Sequence, residues 1–301
     1  MKTNAIIRIV CFSLAIVLLS SILLGVLLFG MYITDGSIHF EEHNTDSPVP
    51  TEALQEIDIQ YFSPDVRNIE IDWVCGNIHI MKGDVISDIV ITETAPSNSE
   101  YKMVCKQSGQ TLKIEFAEDH EKLHLFGNNN SVSKDLTIRV PANWNCKNLE
   151  IDAAATDVTI IGMEIGEMDF DGASGKLTLE ESDIGVLDID TASGDVEFSG
   201  RLDQLDFDAA SAKFTGEFYK VPKQLNLDAM SGDMTLIMPE YSGFYLELDT
   251  MSDSFDSDFD FHVLGEHYEC GDGACKIKIS GMSGDVSIHK GIPAPAENCD
   301  H

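Results

Sequence analysis

The chain has 301 residues, 43% of them hydrophobic, which is enough to form one large folded domain or two ordinary ones. It carries 52 Asp and Glu against 19 Lys and Arg, a net charge of -33. Because a nucleic-acid partner requires Lys and Arg to neutralise its phosphates, this balance argues strongly against nucleic-acid binding.

The N-terminal region contains a candidate membrane span. Residues 9–34 are 26 consecutive uncharged positions, mostly Leu, Ile, Val and Phe, and about 20 such residues cross a bilayer as a helix. Lys2 and Arg8 precede this run and acidic residues follow it, which predicts a cytoplasmic N-terminus and an extracytoplasmic remainder. No small-residue cleavage pattern ends the run. We therefore expect residues 1–34 to be a cytoplasmic tip and an uncleaved, single-pass transmembrane signal anchor in the cell membrane.

After the span, residues 35–55 are polar with two prolines and are typical of a stalk. Short runs of alternating polarity follow, such as "NIEIDW", "DIVITET" and "DLTIRV", and they are separated by Gly, Asn, Ser and Pro. These are strand signals. The pattern predicts an all-β domain over residues 56–290 and a disordered tail over 291–301.

An internal repeat with a period of 18 to 21 residues dominates the second half of the chain. A looser copy begins at Ile277, after an insertion at 258–276, and an outlying relative begins at Ile69. The six regular copies, which span 149–257, are "LEIDAAATDVTI" (149–160), "MDFDGASGKLTL" (168–179), "LDIDTASGDVEF" (187–198), "LDFDAASAKFTG" (205–216), "LNLDAMSGDMTL" (225–236) and "LELDTMSDSFDS" (246–257).

Each copy consists of two alternating strands around a corner of small residues, and such a unit buries its apolar face only against identical neighbours. The repeat therefore predicts a β-solenoid with one coil per copy. A β-sandwich of antiparallel hairpins is the alternative, although it gives no reason for a near-constant period. In the copy at 187–198, we expect Leu187, Ile189, Val196 and Phe198 to point inward and Asp188, Asp190 and Glu197 to point outward.

The anchor, the stalk and repeats such as "LDIDTASGDVEF" and "LNLDAMSGDMTL" together resemble a bacterial family of unknown function, DUF4097, whose members carry the label "putative adhesin". The segment "DLTIRVPANW" (135–144) is also similar to that family, and the resemblance covers residues 56–290. It implies a β-solenoid on the surface of a Gram-positive-type bacterium, sometimes associated with envelope stress, and it supplies no catalytic residues.

Stacking the copies in register would align acidic residues in two rows. Neighbouring carboxylates about 4.8 Å apart repel by about 0.9 kcal/mol in bulk water. Three interpretations stay open: acceptors of hydrogen bonds in the turn, which six Asp in one row favour; a solvated surface; and weak sites for a divalent cation such as Ca²⁺. The first row holds Glu150, Asp169, Asp188, Asp206 and Glu247, interrupted by Asn226, and the second holds Asp152, Asp171, Asp190, Asp208, Asp228 and Asp249.

Enzymatic signatures are weak. The segment "HEKLH" (120–124) matches the H-E-x-x-H pattern of zinc proteases, but that motif requires a helix and its surroundings are strand-like or loop-like. Carboxylates are abundant without one distinguished pair, and the chain has only two Trp for sugar stacking. We therefore predict that the protein is not an enzyme and needs no cofactor.

The insertion at 258–276 holds the remaining candidates. Cys270 and Cys275 are close enough in sequence for a disulfide, which an extracytoplasmic location permits. His262 and His267 lie among acidic residues, so a transition-metal site is conceivable, although two exposed histidines in an acidic loop are the more ordinary interpretation.

Together these features predict an adhesin-like, non-catalytic surface module whose partner is a component of the cell envelope or another membrane protein. Two alternatives remain, a sensory or regulatory protein of envelope stress and a divalent-cation-binding surface module.

Overall fold

The computed structural model describes residues 54–96, 102–117, 133–251, 254–265 and 267–291, all of them within one compact unit, Glu52–His301. None of these residues forms a helix long and apolar enough to cross a membrane, and the predicted span at 9–34 lies outside them. The described residues form the strands β1 (Gln55–Phe62), β2 (Asn68–Gly83), β3 (Ile89–Ala95), β4 (Val104–Ser108), β5 (Thr111–Glu115), β6 (Asp135–Pro141), β7 (Cys146–Ile161), β8 (Glu164–Ser174), β9 (Leu177–Ser193), β10 (Val196–Ser211), β11 (Phe214–Phe218), β12 (Gln224–Ser231), β13 (Met234–Pro239), β14 (Phe244–Thr250), β15 (Phe255–Ser257), β16 (His262–Leu264), β17 (His267–Cys270), β18 (Cys275–Ser283) and β19 (Val286–Gly291).

The repeats stack as parallel coils, each hydrogen-bonded in register to the next. Leu187, for example, pairs with Met168 on one side and with Leu205 on the other. This parallel pairing confirms a solenoid-like, all-β architecture and is incompatible with a sandwich of antiparallel hairpins. The order of the repeats along the stack is 69–80, 149–160, 168–179, 187–198, 205–216, 225–236, 277–288 and 246–257.

The last repeat in sequence is not the last in space, which corrects the expected stacking order. Ile277 pairs with Leu225 on one side and with Leu246 on the other, so the repeat at 277–288 lies between the repeats at 225–236 and 246–257. Every repeat presents the same pattern of backbone donors and acceptors at both edges, so the motif itself does not dictate which copies become neighbours.

The inward and outward positions agree with the alternation in the sequence. Leu187 and Ile189 are fully buried, and Asp188 and Asp190 are exposed. Each coil also contains a further buried position between two repeats, as at Ile165, Ile184 and Leu202. The core therefore runs as one continuous apolar column through the stack.

The corner at Gly194 depends on close backbone contact. Gly194 has a φ of 137°, and a Cβ added there would lie 1.9 Å from the carbonyl oxygen of Gly175 in the preceding coil. Because L side chains rarely adopt this φ and no atom fits at that distance, glycine is required at this corner.

The two ends of the stack differ from its middle. At the N-terminal end, β5 and β6 pair with the two halves of β2, and β3 and β1 extend the sheet in antiparallel fashion. At the other end, β17 pairs antiparallel with β14 and with β16, so the expected insertion is partly strand. Contacts among Phe244, Phe255, Phe259, Phe261 and Tyr268 close the core there.

Candidate functional site

Two lines of outward side chains run along the first strands of the coils, and we call them the first and second acidic rows. The register of the strands adds residues from the repeats at 69–80 and 277–288 to the two rows that the sequence predicted. In stacking order, the first acidic row is Glu70, Glu150, Asp169, Asp188, Asp206, Asn226, Lys278 and Glu247, and the second is Asp72, Asp152, Asp171, Asp190, Asp208, Asp228, Ser280 and Asp249.

The intercalated repeat interrupts both rows near one end. Lys278 separates Asn226 from Glu247, and Ser280 separates Asp228 from Asp249. The expected contact between Asp228 and Asp249 is therefore wrong, because their strands are two positions apart in the sheet.

In the middle of the stack, the carboxylates raise one another's pKa. Burial by neighbouring side chains, followed by repulsion from Asp206 and Asp169, raises the pKa of Asp188 to about 6. Burial, followed by repulsion from Asp208 and Asp171, raises the pKa of Asp190 to about 6. The same two causes raise the pKa of Asp152 and Asp171. The rows are therefore a region where negative charge is concentrated at a cost in stability.

Several hydrogen bonds at the corners come from residues next to the acidic rows. Asp157 Oδ1 accepts the backbone N–H of Lys176 at 2.8 Å, and Asp233 Oδ1 accepts that of Asp285 at 3.0 Å. Ser193 donates its hydroxyl to the carbonyl of Ala173 in the preceding coil. At these two corners, the carboxylate after the corner thus has the role that the sequence suggested for the second acidic row.

The outward positions next to the rows follow a different charge pattern. Directly after the corner, Asp and Lys alternate over five consecutive coils, before Asp285 follows Asp233 in the next coil. The parallel register aligns these residues, since each comes directly before a paired residue. Two residues further along, the outward positions are mostly Thr, with Glu197 in the middle of the line. The alternating line is Asp157, Lys176, Asp195, Lys213 and Asp233, and the threonine line includes Thr159, Thr178, Thr215 and Thr235.

The possible metal ligands do not converge. Among the described residues, no three His, Cys, Asp or Glu side chains form a group able to hold a metal ion. His262 is in β16 opposite Glu269, and the His267 ring lies 5.1 Å from that of Tyr245. Asp258 instead contacts His289 at 3.2 Å. The segment 120–124, with its H-E-x-x-H pattern, lies outside the described residues.

The suggested disulfide is absent from this structure, in which Cys270 and Cys275 are free thiols. Phe244 pairs with Cys270 on one side and with Cys275 on the other. Two strand spacings separate the cysteine Cα atoms by about 9.6 Å, beyond the span of about 7 Å that a disulfide bridges.

The N-terminal end contains an ion pair that the repeat pattern did not reveal. Lys134 and Glu93 are fully buried, and the Lys134 ammonium contacts a Glu93 carboxylate oxygen at 2.5 Å. Burial lowers the pKa of Lys134, while the hydrogen bond to Glu93 opposes that shift. The ammonium also lies 4.0 Å from the centre of the Phe116 ring and 5.2 Å from that of Trp73. Both charged residues lie outside the regular repeats, so no periodicity marks them.

The remaining polar contacts of this pair are also satisfied. The Glu93 carboxylate accepts the backbone N–H of Met103, and the Lys134 ammonium donates to the carbonyl of Phe116. Trp73 donates its indole N–H to the backbone carbonyl of Lys134 at 3.0 Å. The pair thus joins β3, β5 and the segment before β6, which makes it a structural element of this end and not an accessible reactive group.

Comparison with known proteins identifies the family. The family model described as Toastrack DUF4097 matches residues 66–289, most of the chain. The chain belongs to this family. The resemblance noted in the sequence is therefore confirmed.

Solved structures similar to this Toastrack chain have low sequence identity. A "putative adhesin" from Bacteroides fragilis is 14% identical, with 80% of this chain and 98% of that chain covered and a TM-score of 0.44. A "putative cell adhesion protein" from Clostridium sporogenes is 12% identical, with 79% and 100% covered and a TM-score of 0.36. A "putative lipid binding protein" from Parabacteroides distasonis is 17% identical, with 78% and 96% covered and a TM-score of 0.35. No curated protein matches the sequence.

Proposed function

We propose that the protein is a non-catalytic interaction module of the bacterial cell surface. In this proposal, the N-terminal span holds the module at the membrane, and the acidic rows bind a partner that presents a basic surface. The partner is a component of the cell envelope or another membrane protein.

The observation that carries the proposal is the contrast between neighbouring lines of outward side chains. Where Asp157, Lys176 and Asp195 follow one another, charges of opposite sign alternate along the stack. The acidic rows instead keep the same sign over five coils at the same spacing. Burial, followed by repulsion from neighbouring carboxylates, raises the pKa of Asp188 and Asp190 to about 6. Stacking therefore does not require like charges, and a basic partner would relieve their repulsion and be attracted to this face.

The test is position-specific photocrosslinking of the full chain in the membranes of cells that produce it. A photoreactive residue replaces Asn226, which lies in the first acidic row without contributing charge, or Thr235, which is in the second strand of the same repeat. Both positions are partly exposed, so they form a matched pair. We expect a crosslinked product from position 226 and none from position 235.

Neutralisation of the rows is the second half of the test. In the variant D188N/D190N/D208N, the crosslink from position 226 should be lost, and high salt should weaken it in the unchanged chain. Equal crosslinking from both positions, or a crosslink that is insensitive to charge and salt, would contradict the proposal. Capture of glycan favours adhesion, whereas capture of a membrane protein favours the regulatory alternative, and both use the same face.

Thermal unfolding in millimolar Ca²⁺ or in EDTA, at matched ionic strength, separates the partner hypothesis from the cation-binding one. We expect the same melting temperature in Ca²⁺ and in EDTA, since the carboxylates form lines and do not converge. A Ca²⁺-dependent rise that D188N/D190N/D208N abolishes would replace the partner function by cation binding.

A further inference from the structure

Three methionines form an exposed line in the last three coils of the stack. Met230, Met282 and Met251 occupy the same corner position in the repeats at 225–236, 277–288 and 246–257, which are consecutive in space. The backbone N–H of Met251 donates to the carbonyl of Gly281 at 3.1 Å, which fixes this register. Adjacent Cα atoms are therefore about 4.8 Å apart. Only the intercalation of the last repeat brings Met282 between the other two.

These side chains are exposed although methionine is usually buried. Met230, Met282 and Met251 are 46%, 58% and 79% exposed. Four other repeats have alanine at this corner, so the fold does not require a long side chain there. The alanines are Ala154, Ala173, Ala192 and Ala210.

The three methionine side chains are long enough for their thioether sulfurs to approach one another. Each methionine is unbranched and has flexible torsions, and the outer two Cα atoms are about 9.6 Å apart with Met282 midway between them. The three sulfurs can therefore meet above Met282 without a change in the backbone.

Thioether sulfur is a soft, neutral ligand that selects Cu(I) over hard cations such as Ca²⁺. Asp228 precedes Met230 by two residues and Asp249 precedes Met251 by two, so both carboxylates share the outward face with the sulfurs. Their negative potential favours a cation here. We propose that Met230, Met282 and Met251 form a thioether site for a soft monovalent cation, with Cu(I) as the biological ligand and Ag(I) as its redox-inert equivalent. This site is independent of the partner proposed for the acidic rows.

The test uses the full chain in detergent micelles, with the methionine ε-methyl groups labelled with ¹³C and accessible thiols alkylated beforehand. Alkylation is needed because thiols compete for the same ions and none of the described cysteines forms a disulfide. Titration with Ag(I) should shift the methyl resonances of Met230, Met282 and Met251 and saturate at one equivalent. Those of the buried Met163 and Met168 should not move. Cu(I), added anaerobically with ascorbate, should give the same result.

Substitution by leucine separates a metal site from an apolar contact surface. The triple variant M230L/M282L/M251L keeps the apolar volume and removes the sulfurs, and it should lose the saturable binding while its urea unfolding midpoint stays unchanged. M230A/M282A/M251A, which copies the corner of the other repeats, should lose binding as well, whereas M81L, outside the line, should retain it. Binding that survives in the leucine variant would overturn the proposal, as would the absence of a saturable shift at the three methyl groups.

Discussion

The N-terminal end of the stack and its middle use charge in opposite ways. At the N-terminal end, Lys134 and Glu93 are fully buried, paired at 2.5 Å and enclosed by the rings of Trp73 and Phe116. In the middle, the carboxylates of the acidic rows are at the surface beside charges of their own sign. The first arrangement stabilises only as a complete pair, and the second opposes folding slightly where carboxylates are neighbours. The buried pair therefore stabilises the N-terminal end, and the difference is consistent with the proposal that the acidic face binds a partner.

Breaking the buried pair should have the largest effect. Lys134→Met leaves the Glu93 carboxylate buried without its counter-ion, and we expect the free energy of unfolding to fall by about 3–5 kcal/mol. Urea unfolding followed by circular dichroism measures this change. The matched control is Lys176→Met, which removes a surface ion pair with Glu197 at 2.6 Å and should cost no more than about 1 kcal/mol.

A second variant shows whether the pair acts as a unit. In K134M/E93Q, the glutamine can still accept the backbone N–H of Met103 without carrying a charge, so most of the lost stability should return. Equal destabilisation by the single and double variants would show that packing around Lys134, and not the unpaired charge, accounts for the loss.

Neutralising the middle of the acidic rows should have a smaller effect of opposite sign. D188N/D190N removes repulsion, and because solvent screens these exposed groups, we expect a gain of about 1 kcal/mol or less at pH 7. For a domain of this size, that corresponds to a rise in melting temperature of about 2–4 °C. The control is D195N, which removes an aspartate between Lys176 and Lys213 and should leave the melting temperature unchanged or lower it. A decrease for D188N/D190N would mean that these carboxylates stabilise the fold.

The pH dependence of stability should show the same repulsion in the unchanged protein. The pKa of Asp188 and Asp190 is about 6, against the ordinary value of 3.8, so the folded chain takes up protons before the unfolded chain does. The stabilisation that protonation of these two carboxyl groups gives the folded state is therefore complete below pH 3.8. It is lost as the pH rises through about 6. The melting temperature should increase from pH 7 to about pH 5, and this increase should be smaller in D188N/D190N. Salt bridges hold the pKa of Glu115 and Asp203 below the usual range, so their contribution is lost at lower pH, below about 4.

Much of the difference between these two regions could be predicted from the sequence. What could not be predicted has physical reasons. The period of two within each copy and the period of about 19 between copies were enough to predict that Leu187 and Ile189 are inside and Asp188 and Asp190 outside. The stacking order was not accessible, since every repeat offers the same edge to any other. The pair of Lys134 and Glu93 could not be predicted either, because it joins segments 41 residues apart in sequence that have no repeat register. The line of methionines depends on the same unpredicted intercalation, which places Met282 between Met230 and Met251.

Reversing the charge of Lys278 should have the smallest effect and tests the boundary of the first acidic row. Lys278 lies between Asn226 and Glu247, so Lys278→Glu places a second carboxylate about 4.8 Å from Glu247. We expect the melting temperature to fall by about 1–2 °C at low ionic strength and the difference to vanish near 1 M salt, where the Debye length is about 3 Å. Lys276→Glu is the matched control, because Lys276 faces outward two residues earlier in β18 but lies between Gln224 and Tyr245, which are uncharged. If both variants lose the same stability, the loss reflects net charge alone. If only Lys278→Glu does, like charges repel along the row itself, and Lys278 relieves that repulsion beside Glu247.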